Sequence, residues 1–206
     1  MITKSKFEEI KKIYGLFSTW AIWDENNQSD TEIIENNIEK LHTNWIIIGL
    51  NISKPVGVWE NFRGGKHDRK IKIAFNNTNI LGAYMTDLIK KSEKSSAEIE
   101  KAVKQGNLDI SEHVKSFVEE VKFVGVNEKT KFIVFGDTAR NLYDEYYERH
   151  FPENKVYYIK HYSSRGTDKD WVEKVWDRLN IYFKFKNVSS PNNWTIQKYN
   201  FNLNIF

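Results

Sequence analysis

Three polar side chains stand where short apolar runs end: Asn51 after Trp45-Ile46-Ile47-Ile48 and Gly49-Leu50, Asp87 after Ala83-Tyr84-Met85-Thr86, and His161 after KVYYIK. Between the first two the chain turns aromatic (Trp59, Phe62) and basic (Arg63, Lys66, His67, Arg69, Lys70, Lys72). Polar groups at strand ends, with aromatics and cations between them, suit a pocket for a flat polar ring beside a phosphate chain. The cluster His161-Tyr162-Ser163-Ser164-Arg165-Gly166-Thr167 adds an imidazole, hydroxyls, a guanidinium and a glycine just before a helix start. Hydroxyls and backbone N–H groups near a helix N-terminus suit a phosphate, though a capped surface loop explains the same residues.

The elements that must position these groups follow from periodicity. The run Trp45 to Leu50 is β-branched, too short for a helix and bounded by glycine, the pattern of a strand buried on both faces of a parallel sheet. Further strands are expected at about Tyr84 to Asp87, at Phe132 to Phe135 and at Lys155 to Lys160. Helical spacing covers Lys4 to Ile13, a segment capped by Thr31 and ending near His42, one opening at Ser111-Glu112, one capped by Asp137, and one starting at Asp168. Lys90 to Ser111 is charged and reads as a mobile excursion with some helix, and Leu16 to Trp23 as a packing arm.

Alternating strands and helices predict an α/β fold: three layers, α/β/α, around a mainly parallel central sheet of about four strands. The loops Gly49 to Gly57, Asp87 onward and His161 to Thr167 then converge at the carboxyl ends of the strands, where such sheets bind ligands. One domain is expected over 1–206, with a core of about 31–180, an N-terminal arm 1–30 and an aromatic, extended or hairpin tail 181–206.

Composition narrows the chemistry. The 206 residues carry 31 Lys+Arg against 28 Asp+Glu, a net charge of +3 that permits an acidic partner without requiring one. With no Cys, disulfides and thiolate chemistry are excluded, and the five His are not paired as metal ligands. The sequence lacks GxxxxGK[ST], GxGxxG and GxSxG, the anchors of P-loop, Rossmann and α/β-hydrolase sites. No apolar run approaches the roughly 20 residues that span a bilayer, and the amphipathic start is unlike a signal sequence. A cytoplasmic protein with no membrane association is expected.

Taken in order, four segments resemble the uracil-DNA glycosylase superfamily. GLNIS (Gly49 to Ser53) resembles its first active-site motif in the Asn-bearing form of the mismatch-specific branch. YMTDLIKK (Tyr84 to Lys91) resembles a strand end found in some branches, and FGDTARNLY (Phe135 to Tyr143) the strand-to-helix step before the last strand. HYSSRG (His161 to Gly166) resembles the second active-site motif, usually His-Pro-Ser or Asn-Pro-Ser. The likeness runs from about Asn44 to Leu179 and leaves out the arm and the tail.

The resemblance implies hydrolysis of the N-glycosidic bond of a uracil or other deaminated or modified base, flipped out of DNA, to leave an abasic site. It implies a monomer that needs no cofactor or metal and takes single- or double-stranded DNA. Asn51 would hold the attacking water and His161 would donate to the departing base or bind phosphate. Phe62, with Trp59 as runner-up, would stack on the base, beside Asp87, Gly49 and Leu50. Ser53, Ser163 and Ser164 would grip phosphates, and Arg165 would stand where the family often inserts an apolar wedge into the duplex. Asp87 departs from the pattern, because several branches use Asn there to read uracil and an ionised Asp only accepts hydrogen bonds. Tyr162 stands where Pro is usual. Two other readings keep the same pocket: a non-catalytic binder of DNA or nucleotide, and a hydrolase of free nucleosides or nucleotides.

Overall fold

The computed structural model describes residues 2–52, 54–90, 94–181, 183–186 and 195–198, the last two segments by their backbone alone. It is an α/β fold around a five-stranded sheet in the order β1-β3-β2-β4-β5, formed by β1 (Ser18–Trp20), β2 (His42–Asn51), β3 (Ala83–Ile89), β4 (Lys131–Phe135) and β5 (Val156–Ile159). Strands β2 to β5 are parallel; β1 alone runs antiparallel, pairing Ser18 with Thr86 and Trp20 with Tyr84. The arm thus supplies a fifth strand that periodicity did not announce.

Strand β2 is central because it is apolar on both faces. Ile46 and Ile48 enter one core with Phe7, Tyr84, Phe117, Phe132 and Val134, while Trp45 and Ile47 enter another with Phe75, Met85, Ile133 and Trp176. Side chains alternate across a strand, so a run of consecutive apolar residues fills both layers. The first layer is covered by α1 (Lys4–Tyr14), α4 (Ser96–Lys104), α5 (Ile110–Val124) and α6 (Asp137–Leu142), the second by α3 (Asp68–Phe75) and α7 (Asp168–Leu179).

Several helix boundaries differ from the sequence reading. The segment after Thr31 forms only a four-residue turn, α2 (Glu32–Glu35), and a 3₁₀ turn at Ile38–Lys40, because β2 begins at His42 and claims the chain early. Asp30, rather than Thr31, accepts the Glu32 N–H (2.8 Å). The charged excursion contains α4, opened by a capping box of Ser95 and Glu98, and α5 starts beyond Asp109, whose carboxylate accepts the Ser111 N–H. Gly136 holds the cap position of α6 and Asp137 is its first residue. In the tail, β6 (Phe183–Lys186) pairs antiparallel with β7 (Thr195–Lys198); the turn expected at Ser189 to Asn193 and the segment from residue 199 on lie outside the described residues. Among the described residues no helix is long and apolar enough to cross a membrane.

Candidate functional site

The chain passes from β2 outward to β3, then returns across β2 to β4 and β5. At such a reversal the loops at the carboxyl ends of neighbouring strands splay apart and leave a crevice. A cleft of about 550 Å³ opens there, and Gly49, Leu50, Asn51, Phe62, Asp87, His161, Ser163 and Ser164 all line it. Of the other expected residues, Ser53 lies outside the described residues. Arg165 lies beyond the turn in which Ser164 N–H donates to the His161 carbonyl (2.9 Å), and lines a neighbouring cleft.

The floor is Asp87, on β3 and 2% exposed. Its Oδ2 accepts Nδ2 of Asn61 (2.7 Å). The Asn61 carboxamide is oriented at its other end, where Oδ1 accepts the Phe62 N–H (3.1 Å). Burial raises the Asp87 pKa to about 6, and this outweighs the opposing pull of the Asn61 hydrogen bond and of Lys90. Gly49 is required beside it: a methyl on its Cα would overlap Asp87 Oδ1 and lie 2.8 Å from the Phe62 ring. The missing side chain lets a carboxylate and an aromatic ring meet at the end of β2.

Phe62 and Trp59 part company. Trp59 is wholly buried and packs on Phe7 (ring centroids 5.6 Å) and Trp20 (6.3 Å), so it is core. Phe62 lines the cleft. Both adopt a positive φ, 64° at Trp59 and 59° at Phe62, uncommon for bulky side chains and costing about 1–3 kcal/mol each. This backbone turns Asn61 and Phe62 toward Asp87 and Gly49 while Trp59 points the other way.

His161 follows β5 and stacks on Tyr162 (ring centroids 4.1 Å). Its Nδ1 accepts the Ser163 N–H (3.2 Å) and lies 2.7 Å from Ser163 Oγ, whose hydroxyl donates to it. Burial, and then the charge of His67, lower the His161 pKa. The ring is therefore neutral at pH 7, with Nδ1 an acceptor and Nε2–H its donor. Ser163, expected at a phosphate, lines the cleft with its hydroxyl hydrogen-bonded to His161. Asn51 ends β2, where Nδ2 donates to the Lys94 carbonyl (2.9 Å), tying that strand end to the segment entering α4.

The basic stretch is largely consumed by the fold. Arg63, 7% exposed, donates to Thr19 Oγ1 and to the carbonyls of Asp30, Trp20 and Ile22. Burial lowers its pKa to about 10. Arg69 pairs with Asp168 (2.5 Å), Lys70 lies 3.9 Å from the same carboxylate, and Lys72 donates to the carbonyls of Asp24 and Glu25. The exposed Lys54 and Lys66 remain at the cleft.

Sequence reasoning missed Asn61 and Asp68. Asp68 is 7% exposed, lines the cleft, accepts the Gly65 N–H (2.8 Å) and has its pKa raised by burial. The only sequence signal for Asn61 was its place beside Phe62. Asp68 carried a clearer one, an acidic residue at a helix start three positions after a glycine. No protein-family model matches the sequence, and no curated protein or solved structure matches it either.

Proposed function

We propose that the chain hydrolyses the N-glycosidic bond of a nucleotide in DNA, releasing a uracil or another deaminated or modified base and leaving an abasic site. The observation that carries this reading is the meeting of Asn51, Phe62, Asp87 and His161 in one cleft at the point where the sheet reverses direction. The four segments that resemble uracil-DNA glycosylases supply the reaction class.

The roles follow from the chemistry of each group. A base swung out of the stack would enter with its face toward Phe62 and its edge toward Asp87. With a pKa of about 6, Asp87 is mostly ionised at pH 7 and accepts a hydrogen bond from a ring or amino N–H. It repels a carbonyl oxygen at the same position, which favours a base with an N–H there over one with two carbonyl oxygens along that edge. As the bond from C1′ to the base nitrogen breaks, its electron pair leaves with the base. Charge then collects on the base's carbonyl oxygen, where a neutral His161 donating through Nε2–H stabilises it. Asn51 orients the water whose oxygen bonds to C1′, and the water's proton passes to the departing base or to solvent. Since the leaving base carries charge well, a pair of glycosidase carboxylates is not required.

The test is an abasic-site cleavage assay on single- and double-stranded oligonucleotides carrying uracil, hypoxanthine, xanthine or a modified cytosine. Wild type should yield abasic product from at least one substrate. Asn51→Ala should lower the rate by about a hundredfold or more, with the fold intact by circular dichroism. If every substrate stays whole while binding persists, the catalytic reading is lost and the cleft is that of a binder.

A further inference from the structure

A second cleft, of about 420 Å³, opens between β5 and α7 beside the first, and Ser164 lines both. Its walls carry Lys160, Arg165, Lys174 and Arg178 against a single carboxylate, Asp170. In a chain with 31 basic and 28 acidic residues this is a local concentration of positive charge. It has a simple sequence origin: Asp170, Lys174 and Arg178 recur every four residues on α7, so they share one face. Lys160 is fixed from behind, because its carbonyl accepts Nε1 of the buried Trp171 (2.8 Å). All four cations are exposed, and among the described residues none forms an ion pair. The fold therefore makes no evident use of their charge, unlike that of Arg63, Arg69 and Lys70.

We propose that this second cleft holds the phosphodiester chain running away from the nucleotide in the first. The inference rests on the N-glycosidic reading of the main cleft. Four cations on the walls of one cleft, with no ion pair among the described residues, suit a polyanion. A polymer leaving the main cleft past Ser164 brings phosphates to this wall. Lys160, Lys174 and Arg178 contact backbone rather than base, and they act through affinity.

The test compares wild type with Lys174→Glu/Arg178→Glu and with a control of the same charge change, Lys115→Glu/Lys122→Glu, on α5 across the sheet. The probe is a fluorescein-labelled single-stranded 15-mer of ordinary bases, titrated across a range of salt. The α7 variant should bind at least about fivefold more weakly near 0.1 M salt, and its slope of log K against log salt should fall by about 1.4, two contacts at about 0.7 each. The α5 control should bind like wild type. Equal weakening of both variants, unchanged binding by the α7 variant, or no binding by wild type each overturns the proposal. Cleavage lost in Asn51→Ala but oligonucleotide binding untouched by the α7 changes would remove this inference and leave the main-cleft reading standing. Absence of any cleavage would remove that reading without touching the charge comparison.

Discussion

Asp87 carries the sharpest consequence for a single residue. Its folded pKa of about 6 stands above the ordinary 3.8, so between those values the native state holds more protons than the unfolded chain. Stability must then fall as pH rises through this window, and above it a penalty of about 3 kcal/mol persists. Asp87→Asn keeps the shape and a hydrogen bond with Asn61 but removes the charge. Urea unfolding should find the variant's advantage over wild type growing from about pH 4 to pH 6.5 and then levelling. Parallel curves at all pH values would mean that Asp87 is not desolvated. That Asn51, Asp87 and His161 would share one cleft was legible because each follows a short apolar run. The Asn61–Asp87 contact was not, since it depends on positive φ values at Trp59 and Phe62, a conformation bulky side chains give no reason to expect. Which cleft Arg165 lines was not legible for a related reason: nothing in its type reveals on which side of the turn after His161 it emerges.

At the scale of elements, the parallel strands could be read because burial on both faces demands short β-branched runs. Strand β1 could not: Ser18-Thr19-Trp20 has no telling pattern, and it is a strand only because β3 offers an edge. What fastens it is Arg63, whose guanidinium gathers Thr19 Oγ1 and three backbone carbonyls from the arm. Arg63→Met keeps most of the buried volume and strips those acceptors of donors. Each buried unsatisfied acceptor costs about 1–3 kcal/mol, so a loss of about 3 kcal/mol or more is expected. In a domain of this size that is a fall in Tm of about 6–12 °C. Arg63→Lys should recover little, because one ammonium cannot span a fork of acceptors. A change under about 1 kcal/mol would show that β1 is held by its pairing alone.

For the molecule as a whole, the two cores meet back to back on β2, where Ile46 and Ile48 face one and Ile47 the other. Neither layer can come away without exposing the strand that supports its neighbour. A single unfolding transition is therefore expected even in a chain of 206 residues. Tryptophans report on both sides, Trp20 and Trp59 in one core, Trp171 and Trp176 in the other. Fluorescence and far-UV circular dichroism melts should coincide in midpoint and steepness, and separated midpoints would mean that the layers unfold independently. The buried pair Lys90–Glu120 (2.5 Å), with Tyr84 and Thr86 donating to the same carboxylate, lies within the first core and ties β3 to α5. It had no sequence signal, because a lysine and a glutamate in a charged stretch read as surface.

The order of the strands also bears on how copies of the chain behave toward one another. The ten-residue β2 and seven-residue β3 lie inside the sheet, and its borders are the three-residue β1 and the four-residue β5. A long bare border would be a template on which another chain could add a strand and begin a fibre. Here the long strands are sealed and the borders offer little length, so this sheet is a poor seed for polymerisation through strand addition.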